Sequence, residues 1–435
     1  MPVKVAIVGS GPAGFYTAAA LIDSGENVSI DFLDRLPTPF GLIRGGVAPD
    51  HQTTKNISRK FEQTALKDNV RYFGNVEVGR DISLDELRDL YDAVVLAVGA
   101  PGDRSLQIPG AEKAGVFGAA AFVGWYNAHP DFIGLGPDLD VSAAAVIGNG
   151  NVAIDVARIL SRSDKGLAVT DLPDYAQTAI SGSPIKDVYM FGRRGPIEAK
   201  FTNVELREMG ELSECVPQVK ADQLPDGVGD LADREKRLKE RNLESLRQFS
   251  ERQGDEKPKR VHFEFFAAPS EILGGDRVEG IRLERTKVED GRAVGTGEFF
   301  DVECGLVVAA IGYRGSPLEG APFDNSRGII PNDDGRVDEG LYAAGWIKRG
   351  PSGVISTNRP DGVTAAEHIL EDIGSGKEDK PGREALETLL QERNVRIVRY
   401  EDWKTIEAAE IENAEAGSPR KKFVTIKDML GVLDE

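Results

Sequence analysis

Cysteine is scarce in this 435-residue chain, and the two that occur, Cys215 and Cys304, lie far apart in the sequence. Neither belongs to a CxxC pair or to a cysteine-rich run. A dithiol redox reaction, a cysteine-ligated zinc site and an iron–sulfur cluster all need closely spaced cysteines. The chain is therefore predicted to use none of them, and we predict no metal site.

Excess positive charge and long apolar runs are missing as well. Asp and Glu outnumber Lys and Arg by 72 to 53, so the net charge is −19. This balance argues against binding to nucleic acid or to an anionic membrane. No apolar stretch approaches the roughly 20 residues of a membrane helix. The N-terminal "MPVKVAIVGSG" enters a strand without a leader segment. We expect a cytoplasmic protein that does not insert into membranes.

Glycine is plentiful, with 49 residues, and it concentrates at two turns. The first turn follows the β-branched strand at 3–8 and contains Gly9, Gly11 and Gly14 before a predicted helix at about 13–24. A second strand ends at Asp34. Glycines at this spacing let pyrophosphate approach the backbone at a helix N-terminus, and the acid reads ribose hydroxyls. The alternative is a structural glycine turn beside an ordinary strand-end acid.

A second strand–turn–helix pattern occurs at 143–160. It contains Gly148 and Gly150, with Ala153 at the third position, which the dinucleotide-binding pattern permits. The next predicted strand lies farther away than usual because a polar insertion occupies about 161–185. This pattern predicts a second nucleotide site, with a purely structural turn as the alternative.

The strand "DVYMF" is followed by Gly192 and two adjacent arginines, Arg193 and Arg194. In such a unit an acid after the second strand selects NAD, whereas arginine accommodates the 2′-phosphate of NADP. The guanidinium fork matches phosphate oxygens. We therefore predict FAD at the first turn and NADP at the second, with a solvated arginine pair as the alternative.

The length of the chain predicts two domains, and the absence of a low-complexity linker favours an insertion of one into the other. The predicted fold class is α/β, with two Rossmann-like dinucleotide-binding domains. The FAD-binding domain is discontinuous, at 1–104 and 316–435, and the NADP-binding domain occupies 105–315. A surface helix is predicted at 231–252 and a strand at 395–400.

The segment "GLYAAGWIKRGPSGVI" at 340–355 predicts a strand, a glycine loop and the start of a helix. A helix N-terminus beside a flavin stabilises the negative charge of the reduced ring. Trp346 is interpreted either as a residue packed on the cofactor or as a core aromatic.

Taken together, "VAIVGSGPAGFYTA", "PTPFGLIRGGVAPDH", "VIGNGNVAIDVARIL", "FGRRGP", "FTNVELREM" and "AAGWIKRGPSGVISTN" resemble the adrenodoxin-reductase-like ferredoxin–NADP reductases. The resemblance covers essentially the whole chain. It implies a glutathione-reductase-like fold and a flavoprotein that passes hydride from NADPH to FAD. Single electrons then pass to a separate iron–sulfur ferredoxin, with a cytochrome P450 as one downstream option. It also implies a monomer.

The resemblance also implies residue roles. In addition to the glycines of the first turn, the residues implied along FAD are Ala13, Asp34, Leu42, Val78, Trp346, Gly353, Val354 and Ile355. The residues implied at the NADP site are Arg104, Asn149, Gly150, Asn151, Val152, Arg193, Arg194 and Glu205. His51 and Glu205 match a pair near the nicotinamide end, where positioning matters more than acid–base chemistry. The alternative for His51 is an ordinary loop histidine whose hydrogen bonds are made within the protein.

An acidic reductase needs a local basic patch to dock an acidic ferredoxin. Residues 234–241, "REKRLKER", are one candidate, and Arg158 with Arg162 is another. A solvated helix face is the alternative for 234–241. Two other functions remain open at this stage, namely another NADPH-dependent flavin oxidoreductase, such as a monooxygenase, and a non-enzymatic flavin-binding interaction module.

Overall fold

The structure is a computed structural model that describes residues 2–252, 256–373 and 379–434. The chain divides into two compact units by its internal contacts. Unit 1 comprises Met1–Gly102, Asn127–Pro130 and Tyr313–Glu435, and unit 2 comprises Asp103–Tyr126 and Asp131–Gly312.

The elements follow one another in chain order. The first are β1 (Val3–Val8), α1 (Pro12–Asp23), β2 (Val28–Asp34), α2 (Leu42–Gly45), α3 (Gln52–Lys55), α4 (Ser58–Ala65), β3 (Val70–Gly74), α5 (Leu84–Leu90), β4 (Ala93–Leu96) and β5 (Gly102–Asp103). The next are β6 (Val116–Gly118), α6 (Ala119–Tyr126), β7 (Ala143–Ile147), α7 (Asn151–Ser161), α8 (Asp164–Ala168), α9 (Asp174–Ser181), β8 (Asp187–Phe191), α10 (Asn203–Glu211), β9 (Cys215–Val219), α11 (Asp233–Ser250), β10 (Lys259–Glu264), β11 (Ala267–Leu273), β12 (Gly280–Glu289), β13 (Arg292–Glu303) and β14 (Leu306–Ala309). The last are β15 (Tyr313–Arg314), β16 (Arg336–Asp338), β17 (Leu341–Ala343), α12 (Trp346–Arg349), α13 (Asn358–Ile373), α14 (Arg383–Glu392), α15 (Tyr400–Glu412) and α16 (Ile426–Gly431).

Short 3-10 helices supplement these elements, at Pro130–Leu135, Ala221–Gln223, Ile355–Thr357 and Val432–Asp434. Within the described ranges, none of the helices combines the length and the apolar character that crossing a membrane requires.

Unit 1 is built on a six-stranded sheet in the order β16-β17-β4-β1-β2-β3. Its pairings are parallel except for the antiparallel edge pair β16–β17. Core clusters cover both faces. One cluster contains residues of α1, α13 and α15, and the other contains residues of α5 and α14. Burial on both faces explains why β4 and residues 5–8 of β1 are continuous apolar runs rather than alternating ones.

Unit 2 contains a six-stranded, fully parallel sheet in the order β6-β14-β7-β8-β10-β9. An antiparallel sheet, β11-β12-β13, follows β10 in the chain. The central strands β1, β2 and β4 of unit 1 correspond in order and direction to β7, β8 and β14 of unit 2. Each unit therefore carries a glycine turn at the carboxyl end of its central strand.

The predicted surface helix is present as α11, but the predicted strand at 395–400 is wrong. Only Val398 pairs, through an isolated antiparallel bridge to Gly74 at the end of the edge strand β3. The next residue, Arg399, is the N-cap of α15, and its amide nitrogen donates to Asp402 Oδ2 at 2.7 Å. The β-branched residues of this segment predicted a strand. However, α15 begins at Tyr400 and only Val398 pairs with another strand, so no strand extends here.

The C-terminal segment of unit 1 is tied to α2 by a buried ion network. Glu410 of α15 is fully buried and accepts hydrogen bonds from Arg44 of α2 and from Arg420. The Arg44 guanidinium also lies 5.3 Å from the ring centroid of Trp403. These contacts fix the position of α2, which begins with the predicted FAD residue Leu42.

Candidate functional site

The turn between β1 and α1 is too tight for any residue but glycine at two places. Gly9 has a φ of +103°, and a Cβ on it would lie 2.6 Å from the carbonyl oxygen of Ala97. Its amide nitrogen donates to the carbonyl oxygen of Leu33 at 2.8 Å. A Cβ on Gly14 would lie 2.3 Å from the carbonyl oxygen of Gly9. The turn before α1 is thus pressed against the end of β2 and against the residue that follows β4.

The N-terminus of α1 is open to a ligand. No heavy atom lies within 4 Å of the position that a Cβ on Gly11 would take. Gly11 is the N-cap and supplies no side-chain cap, and Pro12 occupies the first turn. Helix N-terminal N–H groups carry partial positive charge that suits an anion. This geometry fits the pyrophosphate of a dinucleotide.

Asp34 is held in a fixed orientation at the end of β2. Its Oδ2 accepts from the amide nitrogen and the hydroxyl of Ser10, at 2.9 and 2.5 Å, and its Oδ1 accepts from the amide nitrogen of Leu36 at 3.0 Å. Burial raises the pKa of this carboxyl, although these hydrogen bonds oppose the shift. A carboxylate offers about four acceptor positions. The one that these donors leave on Oδ1 fits a ribose hydroxyl.

The turn between β7 and α7 repeats this construction in unit 2. Gly148 has a φ of +142°, and a Cβ on it would lie 2.4 Å from the carbonyl oxygen of Ala310. Its amide nitrogen donates to the carbonyl oxygen of Phe191 at 2.9 Å. Gly150, the N-cap of α7, has no side-chain cap and no heavy atom within 4 Å of a Cβ position. This second helix N-terminus also fits a pyrophosphate.

The strand register shows which residues of the two units correspond. Leu33 pairs with the last residue of β1, and Phe191 pairs with the last residue of β7. The next residue is Asp34 in unit 1 and Gly192 in unit 2. The position of the ribose-reading acid is therefore taken by Gly192. The interpretation that the arginine pair occupies this position needs correction, because Arg193 and Arg194 lie one and two residues beyond it.

The backbone of the arginine pair is held by the neighbouring strands. The carbonyl oxygen of Arg193 accepts from Thr286 Oγ1 at 2.8 Å, and that of Arg194 accepts from the amide nitrogen of Phe266 at 3.2 Å. The Arg193 side chain is exposed, whereas Arg194 is half-buried and donates to the carbonyl oxygen of Gly291 at 3.3 Å. A rigid backbone with an exposed guanidinium suits the capture of a phosphate from solvent.

The segment that follows the arginines is tied back to the second glycine turn. The carbonyl oxygen of Asn149 accepts from the amide nitrogen of Lys200 at 2.7 Å. Asn151 Oδ1 accepts from the amide nitrogen of Thr202 at 2.8 Å. Val152 is half-buried in the first turn of α7. Arg104, which is exposed, lies in unit 2, where its amide nitrogen donates to the carbonyl oxygen of Gly312.

Glu205, in the first turn of α10, is oriented by a buried arginine. Arg158 of α7 is fully buried, and its Nη1 lies 3.2 Å from Glu205 Oε2. Its Nη2 donates to Asp155 Oδ1 at 2.7 Å. A buried guanidinium cannot dock a protein partner, so the interpretation of Arg158 as a docking residue is wrong. Its acidic neighbours, brought together by folding, provide the reason for its burial.

His51 is the N-cap of α3 in unit 1, in the loop that contains "GLIRGGVAPDH". Its amide nitrogen donates to the carbonyl oxygen of Ala48 at 3.0 Å, and its carbonyl oxygen accepts from the amide nitrogen of Lys55 at 3.1 Å. The side chain is half-buried. These bonds fix the backbone of His51, and its predicted role at the nicotinamide remains a prediction.

The loop after α12 presents exposed apolar groups on a fixed backbone. Trp346 Nε1 donates to the carbonyl oxygen of Ser352 at 3.1 Å. Gly353 has a φ of +81°, and Val354 is 49% exposed, whereas Ile355 is half-buried. The exposed apolar surface of Val354 and the half-buried indole of Trp346 fit the edge of a flavin ring.

Two other predicted FAD residues differ in exposure. Leu42, the first residue of α2, is 38% exposed and fits a surface that a ligand covers. Val78 is 7% exposed and belongs to the core cluster that contains residues of α5 and α14. The Val78 side chain therefore packs into the core of unit 1, so a ligand would contact the backbone of this residue and not its side chain.

Both cysteines are buried in unit 2. Burial raises the pKa of Cys215 to about 11 and that of Cys304 to about 12. Both are therefore protonated thiols at neutral pH, and a thiol in this state is a poor nucleophile and a poor redox partner.

Residues 3–209 match the family model described as pyridine nucleotide-disulphide oxidoreductase. The chain is 43% identical to the mitochondrial NADPH:adrenodoxin oxidoreductase of Arabidopsis thaliana, with 99% of this chain and 95% of that protein covered. It is 41% identical to the NADPH-ferredoxin reductase FprA of Mycobacterium tuberculosis, with 99% of both chains covered. The chain belongs to the adrenodoxin reductase and ferredoxin–NADP reductase family.

The solved structure of M. tuberculosis FprA in complex with NADPH superposes on this member of the family with a TM-score of 0.95. The identity is 40%, and 99% of each chain is covered. The predicted family and fold class are thereby confirmed.

Three residues that the sequence motifs did not single out contribute to the candidate site of this reductase-family chain. Ser10 orients Asp34, Gly192 takes the position of the acid in unit 2, and Arg349 donates to the hydroxyls of Ser352 and Thr357 beside the exposed loop. Ser10 could have been found from the sequence, because it stands between Gly9 and Gly11 in the first turn. Gly192 and Arg349 carried no such signal, because the position of Gly192 depends on strand register and an arginine before a glycine loop is common on protein surfaces.

Proposed function

We propose that this chain is an NADPH-dependent flavoprotein reductase of a separate iron–sulfur ferredoxin. The observation that carries the proposal is the pair of open glycine turns on equivalent strands, one followed by an acid and the other by a glycine and two arginines. The names of the relatives, NADPH:adrenodoxin oxidoreductase and NADPH-ferredoxin reductase, support it. The domains predicted at 1–104 with 316–435 and at 105–315 then bind FAD and NADP(H), respectively.

The residues of unit 1 hold FAD in this proposal. The N-terminus of α1 binds the pyrophosphate, Asp34 accepts from a ribose hydroxyl, and the loop with Gly353 and Val354 lies along the ring. FAD held by these residues would supply a group that accepts hydride and donates electrons one at a time. A helix N-terminus near the ring would stabilise negative charge on it.

The residues of unit 2 hold NADPH. The N-terminus of α7 binds the pyrophosphate, and Arg193 with Arg194 binds the 2′-phosphate. Glu205, held by Arg158, orients the carboxamide of the nicotinamide, and His51 orients the reactants from unit 1. Both residues position the reactants, because hydride transfer depends on distance and alignment more than on proton transfer.

A basic groove in unit 2 is the proposed docking surface for an acidic ferredoxin. The groove lies between α10 and α11 and has a volume of about 540 Å³. Its lining includes three arginines, Arg207, Arg237 and Arg241, and two glutamates. A local positive surface steers an acidic partner even when the net charge of the chain is −19. We also propose that the enzyme is monomeric and cytoplasmic and that it supplies a cytochrome P450 or another redox pathway.

The test compares electron donors on the purified FAD-loaded protein. We expect faster reduction of an iron–sulfur ferredoxin with NADPH than with NADH. We expect the variant Arg193→Ala/Arg194→Ala to retain FAD and to bind NADPH at least about 100-fold more weakly, since each guanidinium makes charged hydrogen bonds of about 1.5–3 kcal/mol. Arg277→Ala is the control, because Arg277 is an exposed arginine of the same unit that pairs with Asp138.

Equal rates with the two donors would contradict the assignment of NADPH. Failure to reduce any ferredoxin, with rapid NADPH oxidation in the presence of oxygen and a small substrate, would favour a monooxygenase. Loss of FAD from the arginine variant would contradict the assignment of FAD to unit 1.

A further inference from the structure

The side chain of Asn149 lies directly on the backbone of Gly192. A Cβ on Gly192 would lie 1.6 Å from Asn149 Nδ2 and 2.5 Å from its Cγ. The φ of Gly192 is outside the left-handed region, so backbone conformation does not require glycine there, and the obstacle to a larger residue is the Asn149 side chain. The carboxamide therefore fills the volume in which a side chain on residue 192 would begin.

Hydrogen bonds hold the backbones of Gly192 and Asn149, so the two segments cannot easily separate. The amide nitrogen of Gly192 donates to the carbonyl oxygen of Glu264 at 2.9 Å, and its carbonyl oxygen accepts from the amide nitrogen of Ala267 at 3.0 Å. On the other side, the carbonyl oxygen of Asn149 accepts from the amide nitrogen of Lys200 at 2.7 Å. The backbones of both residues are therefore held in place by hydrogen bonds, and relief of the overlap requires the Asn149 side chain to turn away.

Unit 1 has the opposite arrangement at the same two positions. Ser10 stands where unit 2 has Asn149, and Asp34 stands where unit 2 has Gly192. The short side chain of Ser10 leaves room for the acid, and the Ser10 hydroxyl donates to Asp34 Oδ2 at 2.5 Å. One chain thus contains both versions of the pair, a small residue with an acid and a larger amide with a glycine.

We propose that Asn149 and Gly192 act as a steric filter that closes the second site to the NAD-type mode of binding. This inference rests on the proposed NADP(H) site. A carboxylate on residue 192 would accept from both hydroxyls of an NAD ribose and would repel a 2′-phosphate, but its side chain would have to displace the Asn149 carboxamide. Arg193 and Arg194 then read the phosphate without a competing anion. Asn149 and Gly192 are thus specificity-determining residues in addition to the arginine pair.

The filter predicts that a switch of preference needs both positions to change. Gly192→Asp alone places its Cβ on the Asn149 carboxamide and is expected to lower the thermal unfolding temperature. Asn149→Ser/Gly192→Asp rebuilds the pair found at Ser10 and Asp34, and it is expected to regain much of that stability. We expect the double variant to bind NAD⁺ about tenfold more tightly than Gly192→Asp, the effect of one hydrogen bond to a charged group.

The experiment measures dissociation constants of the FAD-loaded proteins for NAD⁺, NADP⁺ and 2′,5′-ADP by calorimetry, with thermal unfolding in parallel. The double variant is expected to bind 2′,5′-ADP at least about tenfold more weakly than the unmodified protein, because a carboxylate faces the phosphate. Gly134→Asp is the matched control, since Gly134 is an exposed glycine of unit 2 with no heavy atom within 4 Å of a Cβ position.

The filter is overturned if Gly192→Asp is as stable as Gly134→Asp, or if the double variant keeps the NAD⁺ to NADP⁺ preference of the unmodified protein. The failure of the proposed function looks different, because the unmodified protein would then bind neither NADP⁺ nor 2′,5′-ADP.

Discussion

Nη1 of Arg158 lies 3.2 Å from Oε2 of Glu205, and the guanidinium is fully buried. The same side chain pairs with Asp155 at 2.7 Å and with Glu208 at 3.7 Å. One cation thus balances three carboxylates contributed by α7 and α10. Arg158, two turns along α7, therefore holds the side chain of Glu205, which lies in the first turn of α10.

Replacing Arg158 by methionine is expected to destabilise the protein. The substitution leaves the three carboxylates without their buried cation, and breaking a buried pair in this way costs about 3–5 kcal/mol. The free energy of unfolding, from denaturant titration, measures the effect. Arg162→Met, at a half-buried arginine next along the chain, is the control. Equal stability of the two variants would show that Arg158 is not the ion that holds this cluster together.

The second prediction concerns the pH dependence of stability through Glu86. Hydrogen bonds from Arg393 and Ser83 lower the pKa of Glu86 from 4.5 to about 2. A carboxyl whose pKa is lower in the folded state stabilises the fold above its unfolded pKa, and this stabilisation is lost as the pH falls through the folded pKa. Glu86→Gln is therefore expected to cost about 1 kcal/mol at pH 7, a value limited by solvent exposure of the pair.

The difference in unfolding free energy between Glu86→Gln and the unmodified protein should shrink between about pH 4.5 and pH 2. Denaturant titration across this range measures it. Asp85→Asn is the control, since Asp85 is an exposed acid in the same first turn of α5. If the difference in unfolding free energy did not change with pH, the pairing of Glu86 with Arg393 would be contradicted.

The third prediction concerns Arg349, which braces the loop proposed to lie along FAD. Its Nε donates to Asp361 Oδ2 at 2.6 Å, its Nη1 to Ser352 Oγ at 2.9 Å, and its Nη2 to Thr357 Oγ1 at 3.2 Å. Arg349→Met removes these bonds and frees the loop, so we expect FAD to bind about tenfold more weakly. Fluorescence titration of the apoprotein with FAD measures the change.

Arg336→Met is the matched variant for Arg349. Arg336 pairs with Glu371 and Asp372 at the other end of α13, away from the loop. We expect its affinity for FAD to equal that of the unmodified protein. Equal weakening in both variants would indicate a general loss of stability of unit 1 instead of a local effect on the loop.

The fourth prediction tests the groove between α10 and α11. Arg237→Glu/Arg241→Glu reverses two charges there and is expected to slow the reduction of an acidic ferredoxin by at least about tenfold at low salt. Reduction of FAD by NADPH should continue at its normal rate, because these side chains are on the groove surface. Stopped-flow measurements separate the two steps.

Lys287→Glu provides the comparison for the groove, since Lys287 is an exposed cation of unit 2 on the antiparallel strand β12. If both charge-reversed variants reduced ferredoxin about tenfold more slowly, or if neither variant did, docking at the groove would be contradicted. Raising the ionic strength should reduce the difference between the charge-reversed and unmodified proteins, because salt screens exposed charges.

The strongest sequence predictions concerned features whose causes lie close together in the chain. The glycine turns at Gly9 and Gly148 lie where the spacing indicated, because each turn requires a backbone conformation or a close contact that few other residues allow. The prediction failed at 395–400, where β-rich composition indicated a strand. There the capping of α15 and a single bridge from Val398 decided the structure.

Hydrophobic runs, glycine spacing and side-chain charge are local properties, and they were enough to predict the two strand–turn–helix units, the acid after β2 and the arginines after β8. The burial of Arg158 beside Glu205, and the equivalence of Gly192 rather than Arg193 to Asp34, became evident only in the folded chain. The same is true of the contact between Asn149 and Gly192. These outcomes depend on strand register and on contacts between residues more than 40 positions apart, such as Asn149 and Gly192, which no local pattern encodes.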